Sequence, residues 1–448
     1  METRVADTVT YDVKFLFLKT IKINIPLWLY SITCFMYYPI FQSLIYQKAC
    51  LQYGDRIGIN VSCSHPQISS NKDLQAIANW ILLWSSVAIC SIGIFTSAMI
   101  GRFGDTKSRK AALLIPFSGL VLEGISLVVQ SYYIELSVYW LVGSEALFAV
   151  FGGYMSIFSA FFAYATDSVC NYPPKCRSLI IAVLEGVIGF GGTVGYLCSF
   201  LLKLLGFVGL FTAFLVIYII CFVAVIFFPS INNNNTETVY KKDMFGFDLF
   251  KFLWQRKIIG TFMALIVAFA ISFFTFVGST HISFYYLKFR FGWDATLYGF
   301  LKGPTQGFAM LNVLFVYPLL RTHNFTDRTL ALIGLISRAL GRLWLAVAWS
   351  TSSTFLLMLF DSFTRFAASG MRAVSANIVP TKNHGSMFTL FAVVEALSNL
   401  LAAVTFHTLF PLSLDFLPQL SFYILAVVML IPTVILYLLP EQLTNITE

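Results

Sequence analysis

The chain carries little charge. Only 11% of its 448 residues are Asp, Glu, Lys or Arg, whereas soluble domains carry about 25%. Its apolar share is 58% and its mean hydropathy is +0.80. This composition excludes a soluble enzyme and a disordered chain. A transmembrane β-barrel is excluded because the apolar residues form long continuous runs instead of alternating with polar ones.

Recognisable catalytic and metal-binding patterns are also missing. No H-E-x-x-H or G-x-S-x-G segment and no cluster with metal-ligand spacing occurs in the sequence. Glycines crowd the segment from Gly186 to Gly195, but no Lys-Ser/Thr pair follows them, so they do not form a phosphate loop. They favour close packing between helices. We therefore expect no enzymatic activity, no cofactor and no metal.

The charges that are present are unbalanced, with 29 Lys and Arg against 21 Asp and Glu and a net charge of +8. A basic chain can bind nucleic acid, but membrane proteins concentrate Lys and Arg in their cytoplasmic loops. Because the composition is that of a membrane protein, we expect the lipid bilayer as a partner and no nucleic acid.

Apolar runs make up most of the chain. Since a span needs about 20 apolar residues, they predict an all-α membrane protein with twelve transmembrane helices. The predicted spans are 24–46, 77–101, 111–130, 137–166, 179–203, 206–229, 258–287, 296–320, 328–350, 353–377, 385–410 and 419–440. A polar loop at about 230–257 separates two sets of six spans. This organisation is typical of transporters whose halves are related by an axis along the membrane normal.

The distribution of basic residues predicts the orientation. With the N-terminus in the cytoplasm, most of the 29 Lys and Arg fall in inside segments, which places both termini in the cytoplasm. The predicted segments are a cytoplasmic N-terminus (1–23), a first six-helix half (24–229), a cytoplasmic central loop (230–257), a second six-helix half (258–440) and a cytoplasmic tail (441–448).

The first outer loop, at about 47–76, carries two predicted modifications. Cys50 and Cys63 are the only cysteines predicted outside, so a disulfide between them is the simplest pairing. Asn60 begins an Asn-Val-Ser acceptor in the same loop, which predicts N-glycosylation at this residue.

Ionisable residues inside the predicted spans are the most informative feature, because each costs about 2.5–3.5 kcal/mol at a helix centre. Glu185 lies about two turns into the fifth span. A buried carboxyl there can take up a proton from an acidic side of the membrane and release it on a neutral side. The alternative is a structural hydrogen bond to another helix.

The tenth span holds Asp361, Arg365 and Arg372 on one helical face, since their spacings are four and seven residues. We expect Asp361 to pair with Arg365 in the same helix. Arg372 is then left without an intrahelical acid, which suits a carboxylate substrate or Glu185. The alternative is that Arg372 anchors the cytoplasmic end of the helix.

The ninth span carries Arg338 and Arg342 one turn apart. We expect structural ion pairs here in preference to substrate contacts. The candidate acids on other spans are Glu123, Glu145 and Glu395.

The seventh and eighth spans carry three further polar residues. Lys302 and Gln306 lie beside a helix break expected at Gly303-Pro304, where a gate or a cavity wall is expected. His281 lies near the outer end of the seventh span and is either a pH-sensing residue or a simply hydrogen-bonded histidine.

The loop between the second and third spans reads Gly-Arg-Phe-Gly-Asp-Thr-Lys-Ser-Arg-Lys over 101–110. It resembles the G-x-x-x-D-x-x-G-R-K loop of the major facilitator superfamily, with Ser108 where glycine is usual. The resemblance implies a major facilitator fold with two six-helix halves. It also implies that Asp105, Arg109 and Lys110 form a cytoplasmic latch and act as gating residues.

Short segments along the chain are similar to the proton-coupled folate transporter family, which includes the thymic stromal cotransporter and a lysosomal relative. The matching segments are Phe151-Gly152-Gly153-Tyr154, Phe161 to Asp167, Arg177, Leu184-Glu185-Gly186, Trp293-Asp294, Met371-Arg372-Ala373 and Gly385-Ser386-Met387-Phe388.

That resemblance implies roles for individual residues. Glu185 matches the proton-coupling acid of the family, Arg372 its functional arginine, and Asp167 an acid ending its fourth helix. His281 lies near the histidine of its seventh helix. One departure concerns Gly292, which stands where the folate carrier has a cysteine paired with its outer loop. Cys63 must therefore use another partner.

These observations predict a secondary transporter that moves an organic anion such as folate together with protons. Glu185 and His281 would couple protons, while Arg372, Arg365, Asp361, Lys302 and Gln306 would form the substrate site. The plasma membrane is the expected location. Two alternatives stay open, an endolysosomal exporter of small catabolites and a non-transporting receptor or scaffold on a transporter fold.

Overall fold

The computed structural model describes residues 21–54, 56, 63, 71–168, 174–229, 254, 258–323, 325–379 and 384–439. Within these ranges the chain forms helices and no strand. The α-helices of the first part are α1 (Ile21–Tyr53), α2 (Lys72–Thr106), α3 (Arg109–Tyr132), α4 (Tyr139–Val150), α5 (Gly153–Ser168), α6 (Pro174–Leu197) and α7 (Leu201–Ile226). Those of the second part are α8 (Ile259–Phe291), α9 (Ala295–Leu311), α10 (Tyr317–Thr322), α11 (Asp327–Val347), α12 (Thr351–Thr354), α13 (Leu357–Phe360), α14 (Thr364–Ile378), α15 (His384–Ser413), α16 (Leu420–Val428) and α17 (Leu430–Leu438).

The all-α prediction is confirmed, and each predicted span coincides with one or more of these helices. By length and composition, eight helical segments in the described ranges are able to cross a membrane. The total of twelve spans stays a prediction.

Glycines with positive φ divide the fourth predicted span and mark the start of the sixth. The fourth span becomes α4 and α5 because Gly152 and Gly153 adopt φ values of 100° and 59° at the join. Gly206 has a φ of 64° near the start of α7. Side chains other than glycine rarely adopt this left-handed region, so each glycine marks a point where the helix direction changes.

The eighth and tenth spans differ from their predicted form. The expected break at Gly303-Pro304 is wrong, because α9 continues through Pro304 and becomes a π-helix only at Asn312–Val316. The tenth span consists of the three helices α12, α13 and α14. Asp361 lies in the turn before α14 and not inside a helix.

Two compact units make up the chain. The first contains residues 1–63, 84–237 and 294–303, and the second contains residues 64–83, 238–293 and 304–448. The start of α2 belongs to the second unit and the start of α9 to the first, which are two exceptions to a division in chain order. Gly299 of α9 explains the second exception, because a Cβ there would lie 2.1 Å from the carbonyl oxygen of Tyr196.

Close packing of α1 on α6 organises the first unit. A Cβ added at Gly191 would lie 2.6 Å from the Ser31 Cβ, and one at Gly195 would lie 2.3 Å from the Ile32 carbonyl oxygen. Small residues let helix backbones approach in membrane proteins. The packing role predicted for this glycine-rich segment is therefore confirmed.

The core of the second unit is apolar. Phe262, Leu265 and Phe269 of α8 are buried against Phe391 of α15, and the Phe269 and Phe391 ring centroids lie 4.6 Å apart. Residues of α11, α14 and α17 complete this core. The helices that form it also carry the charged residues described next.

The predicted disulfide between Cys50 and Cys63 is present, with a Cα–Cα distance of 6.0 Å. Near it, the ammonium group of Lys48 donates to the carbonyl oxygens of Ile134 and Leu136, each at 3.0 Å. These bonds attach the end of α1 to the turn between α3 and α4. Asn60 lies outside the described residues.

Candidate functional site

A buried ion pair joins α11 to the turn before α14. Arg342 Nη2 lies 3.0 Å from Asp361 Oδ2, and the side chains are 3% and 5% exposed. Arg342 Nη1 also donates to Ser279 Oγ of α8 at 3.0 Å. Gly341 leaves room for the carboxylate, because a Cβ there would lie 2.0 Å from Asp361 Oδ1. Arg342 therefore connects α11 to α8 and to the turn before α14.

This pair corrects two predictions. Asp361 was expected to pair with Arg365, but it precedes α14, so the one-turn spacing within a helix does not apply and its partner is Arg342. The structural ion pair expected for Arg342 is present, but its acid is Asp361 of the tenth predicted span and not Glu123, Glu145 or Glu395.

Arg338 is buried without a carboxylate partner among the described residues. Its Nε donates to the carbonyl oxygen and the Oγ1 of Thr364, both at 3.0 Å. Its Nη1 donates to Ser272 Oγ at 2.7 Å, and its guanidinium lies 4.8 Å from the Phe276 ring centroid. The predicted ion pair of Arg338 is therefore wrong. Neutral oxygens and an aromatic face hold this cation, and Asp361, which pairs with Arg342, is the carboxylate among its electrostatic neighbours.

Arg372 on α14 forms an ion pair with Glu395 on α15. Its guanidinium also lies 5.6 Å from the Phe269 ring centroid. As predicted, the acid does not come from the helix of Arg372 itself; it is Glu395, which had been considered as a partner of the ninth span. The two side chains are 35% and 25% exposed, so this pair, unlike the one at Arg342, is only partly buried.

Four arginines and two acids lie together in the second unit, and we name them the arginine cluster. Its members are Arg338, Arg342, Arg365, Arg372, Asp361 and Glu395. The electrostatic neighbours of Arg338 include Arg342, Asp361, Arg365 and Arg372. Arg338 keeps a buried positive charge in this cluster and has no carboxylate partner within the described ranges. Such a region favours an anionic ligand.

The other predicted substrate residues lie on α9. The Lys302 ammonium lies 5.7 Å from the Tyr298 ring centroid, and both residues belong to the first unit. Gln306 is half-buried and belongs to the second unit. The structure therefore groups Arg365, Asp361 and Arg372, and it places Lys302 in the other unit.

A second polar site in the first unit is one that the sequence reasoning missed. Tyr37 Oη lies 2.6 Å from Glu145 Oε1 and 3.2 Å from Glu123 Oε1. Both acids are buried, at 5% and 3% exposure, and no Lys, Arg or His contacts them in the described part of the chain. The acids had been considered as partners of arginines. Their occurrence within predicted spans was the signal that could have identified them as a pair.

The described hydrogen bonds give the tyrosine a particular role. A tyrosine hydroxyl has one proton, so it can fully donate to one carboxylate only. A protonated carboxyl at Glu123 would donate to Tyr37 Oη and satisfy the second contact. Tyr37, Glu123 and Glu145 thus have the geometry of a group that can hold one exchangeable proton.

His281 on α8 has two neighbours on α15. Its Nε2 lies 3.0 Å from Asn399 Oδ1 on α15. Its ring also contacts His407 of α15, with 4.9 Å between the centroids. His407 was not predicted to be a functional residue. Its position inside an apolar run was the signal that could have identified it.

The loop at 101–110 is compact. Ser108, which replaces the usual glycine, accepts a hydrogen bond from the Ala111 N–H and caps α3. Serine is a favoured N-cap residue, so the departure has a local structural reason. Arg109 and Lys110 are half-buried in the first turn of α3. The side chains of Asp105, Asp167 and Glu185 lie outside what the structure describes.

The segment after α8 explains the departure at Gly292. This residue has a φ of 69° and ends α8 in a left-handed cap, which glycine adopts at little cost. Trp293 is buried and donates to Thr351 Oγ1 at 3.1 Å. Asp294 Oδ1 accepts from the Leu297 N–H at 2.9 Å and caps α9.

Comparison with known proteins identifies the relationship. No protein-family model matches the chain. A lysosomal proton-coupled steroid conjugate and bile acid symporter of Bos taurus is 24% identical, over 83% of this chain and 82% of the relative. The proton-coupled folate transporter of Rattus norvegicus is 25% identical, over 83% and 81%. This chain is a homologue of these symporters. The family resemblance noted in the sequence is therefore confirmed.

Solved structures give the fold of this symporter homologue. A D-xylose-proton symporter superposes with a TM-score of 0.64 at 13% identity, covering 94% of this chain and 98% of the other. A human organic anion transporter superposes with a TM-score of 0.61 at 13% identity, covering 93% and 98%. The major facilitator fold predicted from the 101–110 loop is confirmed. These relatives and structural neighbours are transporters and not enzymes.

Proposed function

We propose that this protein is a secondary transporter that carries a small organic anion across a membrane together with protons. The arginine cluster is the observation that supports the anion. Arg338 is buried among membrane-spanning helices, and its hydrogen-bond acceptors are neutral oxygens. An anionic substrate would offset the cost of keeping this charge there.

Arg372 is the proposed primary contact of the substrate. It is the more exposed of the two paired arginines, and a planar guanidinium can exchange one carboxylate for another. Binding of a carboxylate substrate would release Glu395, which could then take up a proton. Arg365 and Asp361 would support the cluster, while Lys302 and Gln306 stay candidate contacts along α9.

Proton coupling has three candidate positions. Glu185 and His281 follow from the sequence, and the Tyr37–Glu123–Glu145 group follows from the geometry. One proton moving down a difference of one pH unit supplies about 1.4 kcal/mol, which supports about tenfold accumulation of substrate. The latch residues Asp105, Arg109 and Lys110, together with Asp167, are the proposed gating residues.

The proposal includes two alternatives for the substrate and two for the membrane. Experiment can separate them. The relatives transport folate in one case and steroid conjugates and bile acids in the other, as their names state. The name of the steroid conjugate and bile acid symporter includes a lysosomal location, which agrees with an endolysosomal membrane, and the plasma membrane is the other alternative. A non-transporting receptor would tolerate neutralisation of Glu185 and Arg372.

Uptake into proteoliposomes tests the proposal without depending on the native membrane. Purified protein would be supplied with labelled folate or a labelled steroid conjugate, at an external pH of 5.5 or 7.4 and an internal pH of 7.4. We expect acid-stimulated uptake of one probe, and its loss in Glu185→Gln. Absence of uptake of both probes and of other organic anions would contradict the proposal.

A charge exchange tests the role of Arg372. Arg372→Gln should reduce uptake at least tenfold, and the double variant Arg372→Glu/Glu395→Arg should restore the ion pair without restoring uptake. Recovery of uptake in the double variant would show that Arg372 is structural. Arg328→Gln is the matched control, because Arg328 binds main-chain carbonyl oxygens of α17 and not the cluster.

A further inference from the structure

The histidine contact in the second unit carries an inference beyond the predicted role of His281. His407 on α15 is 1% exposed, and its ring meets that of His281 at 66° with 4.9 Å between centroids. The start of α2 also reaches this place, because Asn79 Oδ1 lies 3.3 Å from His407 Nδ1. All three residues belong to the second unit.

Neighbouring hydrogen bonds assign the tautomer of His407. The Asn79 side-chain amide donates through Nδ2 to the Gln75 carbonyl oxygen at 2.9 Å. Its Oδ1 therefore faces His407 and requires a donor, so Nδ1 of His407 carries the hydrogen. In a neutral imidazole the other nitrogen is then a bare acceptor.

That acceptor nitrogen makes no hydrogen bond within the described structure. His407 Nε2 is buried and has no hydrogen-bond partner among the described residues. A buried acceptor without a partner is costly, and a bound water or a bound proton would satisfy it, the proton at the cost of adding a buried charge. The nitrogen is thus a candidate position for a proton.

The charged groups around His407 are few. From α8 its electrostatic neighbour is His281. From α14, Arg372 engages Glu395, three turns earlier on α15. The first residue of α2, Lys72, engages Asp415 beyond the end of α15. No carboxylate contacts the His407 ring in the described part of the chain, so a proton bound there would give the site a full positive charge.

We propose that His281 and His407 form one proton-binding pair, in which His407 Nε2 accepts the proton and the neighbouring ring excludes a second. Two imidazolium rings with centroids 4.9 Å apart would repel each other strongly in this buried setting. The pair therefore alternates between neutral and singly charged. Its contribution to transport rests on the proposed function, whereas proton binding itself does not.

Nitrogen NMR of the purified full-length protein tests proton binding without a substrate. The chain has five histidines, so 15N-histidine labelling gives few imidazole signals, assigned from His281→Gln and His407→Gln. We expect the His407 signals to show Nδ1–H at pH 8 and one imidazolium per pair at low pH. Removing either histidine should shift the titration of the other.

Two NMR results would overturn the proposal. One is that both rings stay neutral between pH 8 and pH 4.5, and the other is that they titrate without affecting each other. His323→Gln is the control, because His323 is exposed in the turn after α10, and it should leave both titrations unchanged. His407→Asn serves if His407→Gln does not fold.

Transport then tests the functional part. His281→Gln and His407→Gln should each lose acid stimulation of uptake at least fivefold, and the double variant should lose no more than either single one. Additive losses would show two independent sites and contradict the shared proton. If no substrate is transported by the wild type, the proposed function fails while the NMR result still decides proton binding.

Discussion

Asp361→Asn should be among the most destabilising single substitutions in the chain. Asparagine keeps the shape of the side chain and removes only its charge. Arg342, whose side chain is 3% exposed, would then be buried with no carboxylate partner. Breaking a buried ion pair from one side costs about 3–5 kcal/mol, which lowers the folding equilibrium constant by about two to three and a half orders of magnitude.

The assay is unfolding of the purified protein in detergent, followed by heating and by titration with a denaturing detergent. Asp415→Asn is the matched control, because its pair with Lys72 is exposed, at 81% and 47%, and exposed pairs contribute about 0–1 kcal/mol. The double variant Asp361→Asn/Arg342→Gln removes both charges and should recover at least half of the loss. Equal stability of Asp361→Asn and Asp415→Asn would refute the reasoning, as would a double variant no more stable than Asp361→Asn.

Two further predictions concern packing and the disulfide. Gly195→Ala should destabilise the protein by about 1–3 kcal/mol, because its Cβ would meet the carbonyl oxygen of Ile32. Gly186→Ala on the same helix should be neutral or stabilising by up to about 1 kcal/mol, since nothing lies within 4 Å of its Cβ; thermal unfolding compares the two, and equal losses would contradict the packing argument. Cys50→Ser should leave Cys63 reactive towards a maleimide that does not label it in the wild type, and the lost cross-link over 13 residues should lower stability by about 3 kcal/mol. Labelling of Cys63 in the unreduced wild type would show that the bond does not form.

The helical fold was accessible from the sequence because its cause is local. Each apolar run must satisfy its own backbone hydrogen bonds in the bilayer, and a helix does so without reference to other segments. The disulfide between Cys50 and Cys63 was predicted for a similar reason, because the two cysteines are near in sequence. The short break at Gly152 was not predicted, since an apolar run shows no change in composition where a glycine adopts positive φ.

The partners of the ionisable residues were predicted poorly. One-turn spacing suggested Asp361 with Arg365, but the chain turns just before α14, and the acid reaches α11 instead. Glu395, one of the three acids considered for the ninth span, pairs with Arg372 of the tenth. Glu185, Asp105 and Asp167 keep the roles predicted from the family resemblance, and these stay predictions.

The sequence by itself determined that this protein resides in a membrane, that it is helical, and which superfamily its 101–110 loop resembles. These properties depend on the free energy of transferring a single segment from water to lipid and on motifs of ten residues or fewer. Only the tertiary structure decided which charges neutralise one another and which do not. Arg338 without an acid, Tyr37 between two glutamates, and His281 against His407 each depend on distances between helices far apart in the chain, and hydrophobic periodicity carries no information about such distances.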